Sequence, residues 1–99
     1  MISIKIHKSY RNVVAVCDLD LIGKKFEEGE CQLDVKENFF KGDEITTDKA
    51  IEIMKEYEKE DSTFNIVGDE SINSALKAKI ISEEGIKRIN NVPFALVLM

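Results

Sequence analysis

Residues 2–18 decide the fold: Ile2-Ser3-Ile4-Lys5-Ile6-His7, then Lys8-Ser9-Tyr10-Arg11-Asn12, then Val13-Val14-Ala15-Val16-Cys17-Asp18. In the first block apolar and polar side chains alternate, the period of a strand with one buried face. Ile2, Ile4 and Ile6 share that face, leaving Ser3, Lys5 and His7 to solvent. Val13 to Cys17 is apolar without a break and reads as a strand buried on both faces. Five polar residues between two strands are too few for a crossover, so the pair forms a β-hairpin.

Beyond Asp18 the pattern changes. Asp18 suits the cap of a short helical turn over Leu19 to Phe26, with Leu21, Ile22 and Phe26 inward and Gly29 as its end. Cys31-Gln32-Leu33-Asp34-Val35 alternates as a third strand, and Phe39-Phe40-Lys41-Gly42 makes an apolar corner. The spacing predicts a helix over Thr47–Lys59: Thr46 or Thr47 caps it, and Ala50, Ile51, Met54 and Tyr57 form one apolar stripe. Phe64 to Val67 reads as a short strand closed by Gly68-Asp69. A second helix then runs to about Lys79, with Ile72, Ala75 and Leu76 inward and Asp69 and Glu70 capping its start. Asn90-Asn91-Val92-Pro93 reads as a turn, since Asn accepts left-handed geometry and Pro93 keeps Val92 extended. Phe94 to Met99 is a wholly apolar last strand, placed centrally. The expected fold class is α+β: one domain over residues 1–99, with a mixed, mainly antiparallel sheet of five or six strands and two main helices.

Composition agrees with that picture. The chain has 99 residues, 43% hydrophobic and 33% charged, with one Pro, five Gly and two Cys. That excludes disordered, collagen-like and disulfide-scaffold chains. Met1 leads straight into a strand pattern, and no apolar run nears the roughly 18 residues of a membrane span. The expectation is a cytoplasmic protein with no membrane partner. The formal charge of −5 conceals a polarised chain. Residues 1–25 sum to +3, residues 26–74 to −10 and residues 75–99 to +2. Lys5, Lys8, Tyr10 and Arg11 make the densest basic stretch, with an aromatic ring able to stack on a base, and are the nucleic-acid-binding candidates.

Familiar catalytic and metal motifs do not fit. The single histidine, His7, and two cysteines without a C-x-x-C partner leave no zinc ligand set. Asp18-Leu19-Asp20-Leu21-Ile22-Gly23 starts like a calcium loop, but Ile22, Phe26 and Gly29 stand where later ligands are needed. Gly23-Lys24 lacks the earlier glycine and the following hydroxyl of a phosphate loop. No cofactor and no catalytic residue are assigned. Cys17 next to Asp18 reads as a buried, inert thiol, since a neighbouring carboxylate raises a thiol pKa. Whether Cys17 and Cys31 pair is left open by the sequence.

Four stretches together point to a family. Val13-Val14-Ala15-Val16-Cys17-Asp18, Leu21-Ile22-Gly23-Lys24-Lys25-Phe26-Glu27-Glu28-Gly29, Asn65-Ile66-Val67-Gly68-Asp69 and Val92-Pro93-Phe94-Ala95 resemble, in order and spacing, a small archaeal family catalogued as domain of unknown function 424. The resemblance implies an archaeal, cytosolic α/β domain without an established activity, in the company of translation. One departure stands out: the family's closing pattern resembles Gly-Val-Pro-His-Ala-Gln, and this chain has Asn91-Val92-Pro93-Phe94-Ala95-Leu96. A polar pair is apolar here, which weakens an enzyme reading. The leading expectation is a non-enzymatic binding protein or adaptor tied to translation or ribosomal RNA, with a ribosome, RNA or translation-factor partner. The alternative is a ligand-binding protein or enzyme with a pocket near Cys17, Asp18, Asn65 and Gly68. A monomer is favoured over a homodimer.

Overall fold

A computed structural model describes residues 1–98. Strands β1 (Ile2–His7) and β2 (Val13–Asp18) form the hairpin the opening pattern dictates, with Ile4 opposite Val16 and His7 opposite Val13. After a 3-10 turn (Leu19–Leu21) come β3 (Lys25–Glu28), β4 (Cys31–Asp34), α1 (Glu37–Phe40) and β5 (Asp43–Ile45). Helix α2 (Thr47–Glu58), β6 (Thr63–Val67), α3 (Asp69–Lys77), a 3-10 turn (Glu83–Gly85), β7 (Lys87–Ile89) and β8 (Val92–Val97) complete the order. The main sheet has six strands in the order β5-β1-β2-β6-β8-β7, and β3-β4 is a separate hairpin. Only β2 and β6 run parallel; every other neighbour is antiparallel. The fold is α+β with a mixed, mainly antiparallel sheet, as the sequence predicts.

The two long helices cover one sheet face. Ala50 and Met54 of α2 and Ile72 and Ala75 of α3 pack on Ile2, Ile4, Val14, Val16, Phe64 and Ile66. These are alternate positions of three neighbouring strands, so the period-2 pattern supplies a flat apolar floor and the helical stripes its roof. Thr46 caps α2, its Oγ1 accepting from the Lys49 N–H at 3.2 Å.

Both helices end alike. Ser62 N–H donates to Tyr57 O and Asp61 N–H to Glu58 O; Ile80 N–H donates to Ala75 O and Lys79 N–H to Leu76 O. This paired closure needs one left-handed residue, and here it is Asp61 (φ 55°) and Lys79 (φ 62°) instead of glycine. Lys79→Gly is therefore expected to raise stability by about 0.5–1 kcal/mol, because a side chain in that geometry is strained. A urea midpoint unchanged or lowered by the substitution would contradict that reading of the cap.

Three readings of the sequence are corrected. Residues 19–26 do not form one helical turn. The chain swings at Gly23 (φ 85°), whose N–H donates to Val35 O at 2.7 Å, and continues as β3. Gly29 (φ 62°) does not end a helix but turns the two-residue β3-β4 hairpin, a geometry glycine meets without strain. Second, the face of β1 carrying Ser3, Lys5 and His7 is not solvated. Ser3 Oγ donates to Phe40 O (3.0 Å), Lys5 Nζ to Asn38 O (2.7 Å), and His7 Nε2 meets Phe39 O (2.8 Å) with its ring stacked on Phe39. Three successive side chains of one strand face thus take up carbonyls that a four-residue helix leaves without partners.

Third, β8 begins at Val92, because Asn90 and Asn91 (φ 54° and 66°) make the whole turn to β7. Pro93 is tolerated inside an interior strand for a specific reason. Its carbonyl accepts from Gly68 N–H at 2.9 Å, so its nitrogen faces Gly68 too. The Gly68 carbonyl there already receives Ile72 N–H at 2.8 Å, the first bond of α3. A donor at position 93 would have no acceptor to itself. The strand expected over Phe94–Met99 ends at Val97, and Met99 lies outside the described residues. β8 is interior, paired on both sides, yet Leu96 is 55% and Leu98 is 72% exposed.

Candidate functional site

The face of the sheet opposite α2 and α3 carries a second, smaller core. Ala15 and Cys17 of β2 and Val67 of β6 meet Val35 and Phe40, with Leu21, Phe26, Leu33, Phe39 and Phe94 packed around them. The β3-β4 hairpin and α1 cover only part of this face, and Glu28 fastens the hairpin by accepting Asn90 N–H at 2.7 Å.

Of the four pocket candidates, Cys17, Asp18 and Gly68 come together, but as structure. Asp18 ends β2 buried. Its carboxylate accepts the N–H groups of Glu70 (3.1 Å) and Ser71 (2.8 Å) and the Ser71 hydroxyl (2.8 Å). It is thus the cap of α3, reached across the β2-β6 junction, and not the cap of the turn that follows it. Asp69 and Glu70 do not cap α3 themselves. Gly68 passes so close that a Cβ there would stand 2.3 Å from Asp18 Cγ. Cys17 is fully buried, and burial first, then Asp18 and Asp20, pushes its thiol up to about 12. Such a thiol is no nucleophile near neutral pH. Cys17 and the exposed Cys31 are both free thiols.

The fourth candidate is separate. Asn65, on the same sheet face as Val67, lines a cleft of about 380 Å³. Leu33 and Asp34 of β4 stand at this cleft with Lys36, Phe39 and Phe40 of the α1 region, and Phe94 and Leu96 of β8 complete it. Phe39 and Phe40 meet edge to face at 5.0 Å. The cleft therefore has aromatic walls, one amide on its floor, and one cation and one carboxylate among its lining residues. Phe94 and Leu96, where the chain departs from the closing pattern it otherwise resembles, both line it. Sequence reasoning found Asn65 and the Phe39-Phe40 corner but not their meeting. Two such segments face each other only through the strand order.

The basic candidates split as well. Lys8, Tyr10 and Arg11 project from the tip of the β1-β2 hairpin, all exposed, with Tyr10 wholly so. Lys5 lies further down β1, half-buried, its ammonium held by Asn38 O. Among the described residues no three of His, Cys, Asp and Glu are placed to hold a metal ion, and no helix is long and apolar enough to cross a membrane.

The model of the family described as protein of unknown function (DUF424) matches residues 6–99. No curated protein matches. A crystal structure of an uncharacterized conserved protein from Methanopyrus kandleri is similar in fold, with a TM-score of 0.83 over 99% of this chain and 93% of that one, at 24% identity. The chain belongs to the DUF424 family.

Proposed function

We propose that this member of the DUF424 family is a cytoplasmic, non-enzymatic binding protein, acting as a monomer, that contacts RNA or an RNA-rich surface of the translation apparatus through the β1-β2 tip. One observation carries the reading: Tyr10 is fully exposed at the apex of a hairpin anchored in the centre of the sheet, with Lys8 and Arg11 on the same turn. An aromatic ring held out in water at the tip of a hairpin gains no apolar contact within its own chain. Between cations it has the chemistry of a base-stacking platform. The acidic remainder of the chain opposes free polyanions, which favours a structured partner that meets only the tip.

The reading predicts salt-dependent binding. Two or three phosphate contacts give a slope of about −1.5 to −2 in log affinity against log salt on single strands. Tyr10→Ala should cost about 1–3 kcal/mol, and Lys8→Glu should remove most of what remains. Fluorescence anisotropy with labelled RNA, and co-sedimentation with ribosomes at low and high salt, measure both. Binding absent at low salt, or indifferent to both substitutions, would sink the proposal.

A further inference from the structure

On the face opposite the long helices, one transverse row runs Lys5, Ala15, Asn65, Leu96, because these residues are partners from strand to strand. Lys5 is engaged by Asn38 O and Ala15 is buried, so Asn65 and Leu96 are the open half of the row. Asn65 is an odd residue for this place. It sits mid-strand between two paired neighbours, where β-branched or aromatic residues pack best. Its carboxamide makes no hydrogen bond to any described residue. Cys17 and Val67, on the same face, are apolar and covered; Asn65 is half-buried, and no described residue satisfies its amide.

We propose that the cleft binds a nucleobase, its ring against Phe39, Phe94 and Leu96 and its edge paired with the Asn65 carboxamide. A carboxamide presents an acceptor and a donor side by side. The edge of a base offers the complementary pair, and adenine is the base that Asn most often reads in this way. Aromatic walls favour a flat π-face over an aliphatic ligand. The volume of about 380 Å³ falls in the range of small-ligand sites and suits a nucleoside. Lys36 among the lining residues suits an attached phosphate, and Asp34 suits ribose hydroxyls. The base can come from a free nucleotide or from an unstacked position in an RNA strand, and the chemistry of the site is the same for both. Nothing in this proposal depends on the hairpin tip.

The test uses the full isotopically labelled chain, titrated with adenosine monophosphate and separately with a four-nucleotide adenylate strand. Saturable shifts are expected at the Asn65 side-chain NH2 and at the amides of Phe39 and Leu96. Asn65→Leu should weaken binding about tenfold or more with the thermal midpoint kept or raised. If the monophosphate binds as tightly as the strand, the source is a free nucleotide. If the strand binds tighter, and Asn65→Leu weakens both probes, the source is an unstacked base in RNA. A failed tip reading leaves the monophosphate result untouched, so the two proposals fall separately. No shift at cleft residues with either probe up to about 10 mM, or unchanged binding by Asn65→Leu, would overturn the assignment.

Discussion

Gly68→Ala is expected to lower stability by about 3–5 kcal/mol, a large part of what a domain of this size possesses. Two causes add. Gly68 stands at φ 106°, ψ 157°, a region open almost only to glycine, and a side chain there costs about 1–3 kcal/mol in strain. The new Cβ would also come within 2.3–2.6 Å of the Asp18 carboxyl atoms, so that group must leave. Its departure strands the N–H groups of Glu70 and Ser71 and the Ser71 hydroxyl, and an unmade buried bond costs about 1–3 kcal/mol. The two mechanisms separate in a double-mutant cycle. In an Asp18→Ala background the clash is gone, so Gly68→Ala should cost the strain alone. Chemical denaturation of the four proteins reads the coupling, expected to exceed about 1 kcal/mol. Strict additivity would mean that Asp18 and Gly68 do not act together.

Alkaline pH should expose the second large effect, through Cys17. In the unfolded chain the thiol ionises near its ordinary 9.0, whereas burial and two neighbouring carboxylates hold it neutral in the fold up to about 12. Above pH 9 the unfolded state therefore gives up a proton that the folded state keeps. The stabilisation is fully present below 9 and is lost as pH rises from about 9 to 12, at about 1.4 kcal/mol per pH unit. The informative quantity is the difference from Cys17→Ala, which cancels whatever every other group contributes. That variant starts less stable at pH 7, and its urea midpoint should fall less steeply between pH 9 and 11. Parallel pH profiles would show that the buried thiol carries none of the slope. A thiol reagent at neutral pH should accordingly label Cys31 in the native protein and Cys17 only on unfolding.

The consequence for function is that the strongest chemical-looking cluster in the sequence is a brace. Cys17-Asp18 and Gly68-Asp69 close two parallel neighbouring strands, and the Asp18 carboxylate joins β2 to the start of α3. A carboxylate beside a glycine at a strand-to-helix turn has the look of a ligand site, and here its acceptors are consumed by the helix. What stays available for a partner is less conspicuous in the sequence: one tyrosine at a hairpin tip and one asparagine in a strand.

The sequence by itself determined whatever depends on local periodicity and local backbone preference. Alternation at Ile2, Ile4 and Ile6 set β1, the unbroken run from Val13 to Cys17 set a central β2, and the stripe at Ala50, Ile51 and Met54 set α2. Asn90-Asn91 announced a turn because few other residues enter left-handed geometry cheaply. Tertiary structure alone decided which polar groups are satisfied, and by whom. Ser3, Lys5 and His7 alternate as a solvated face would, and only the return of α1 makes them the partners of its carbonyls. Asp18 has the makings of a cap, and only the parallel pairing of β2 with β6 selects α3 as the helix it serves. Leu96 is apolar like the rest of its strand, and only incomplete coverage of that face leaves it exposed beside Asn65. Period and propensity act over a few residues, whereas hydrogen-bond satisfaction and burial depend on contacts between segments far apart in the chain, which the strand order alone brings together.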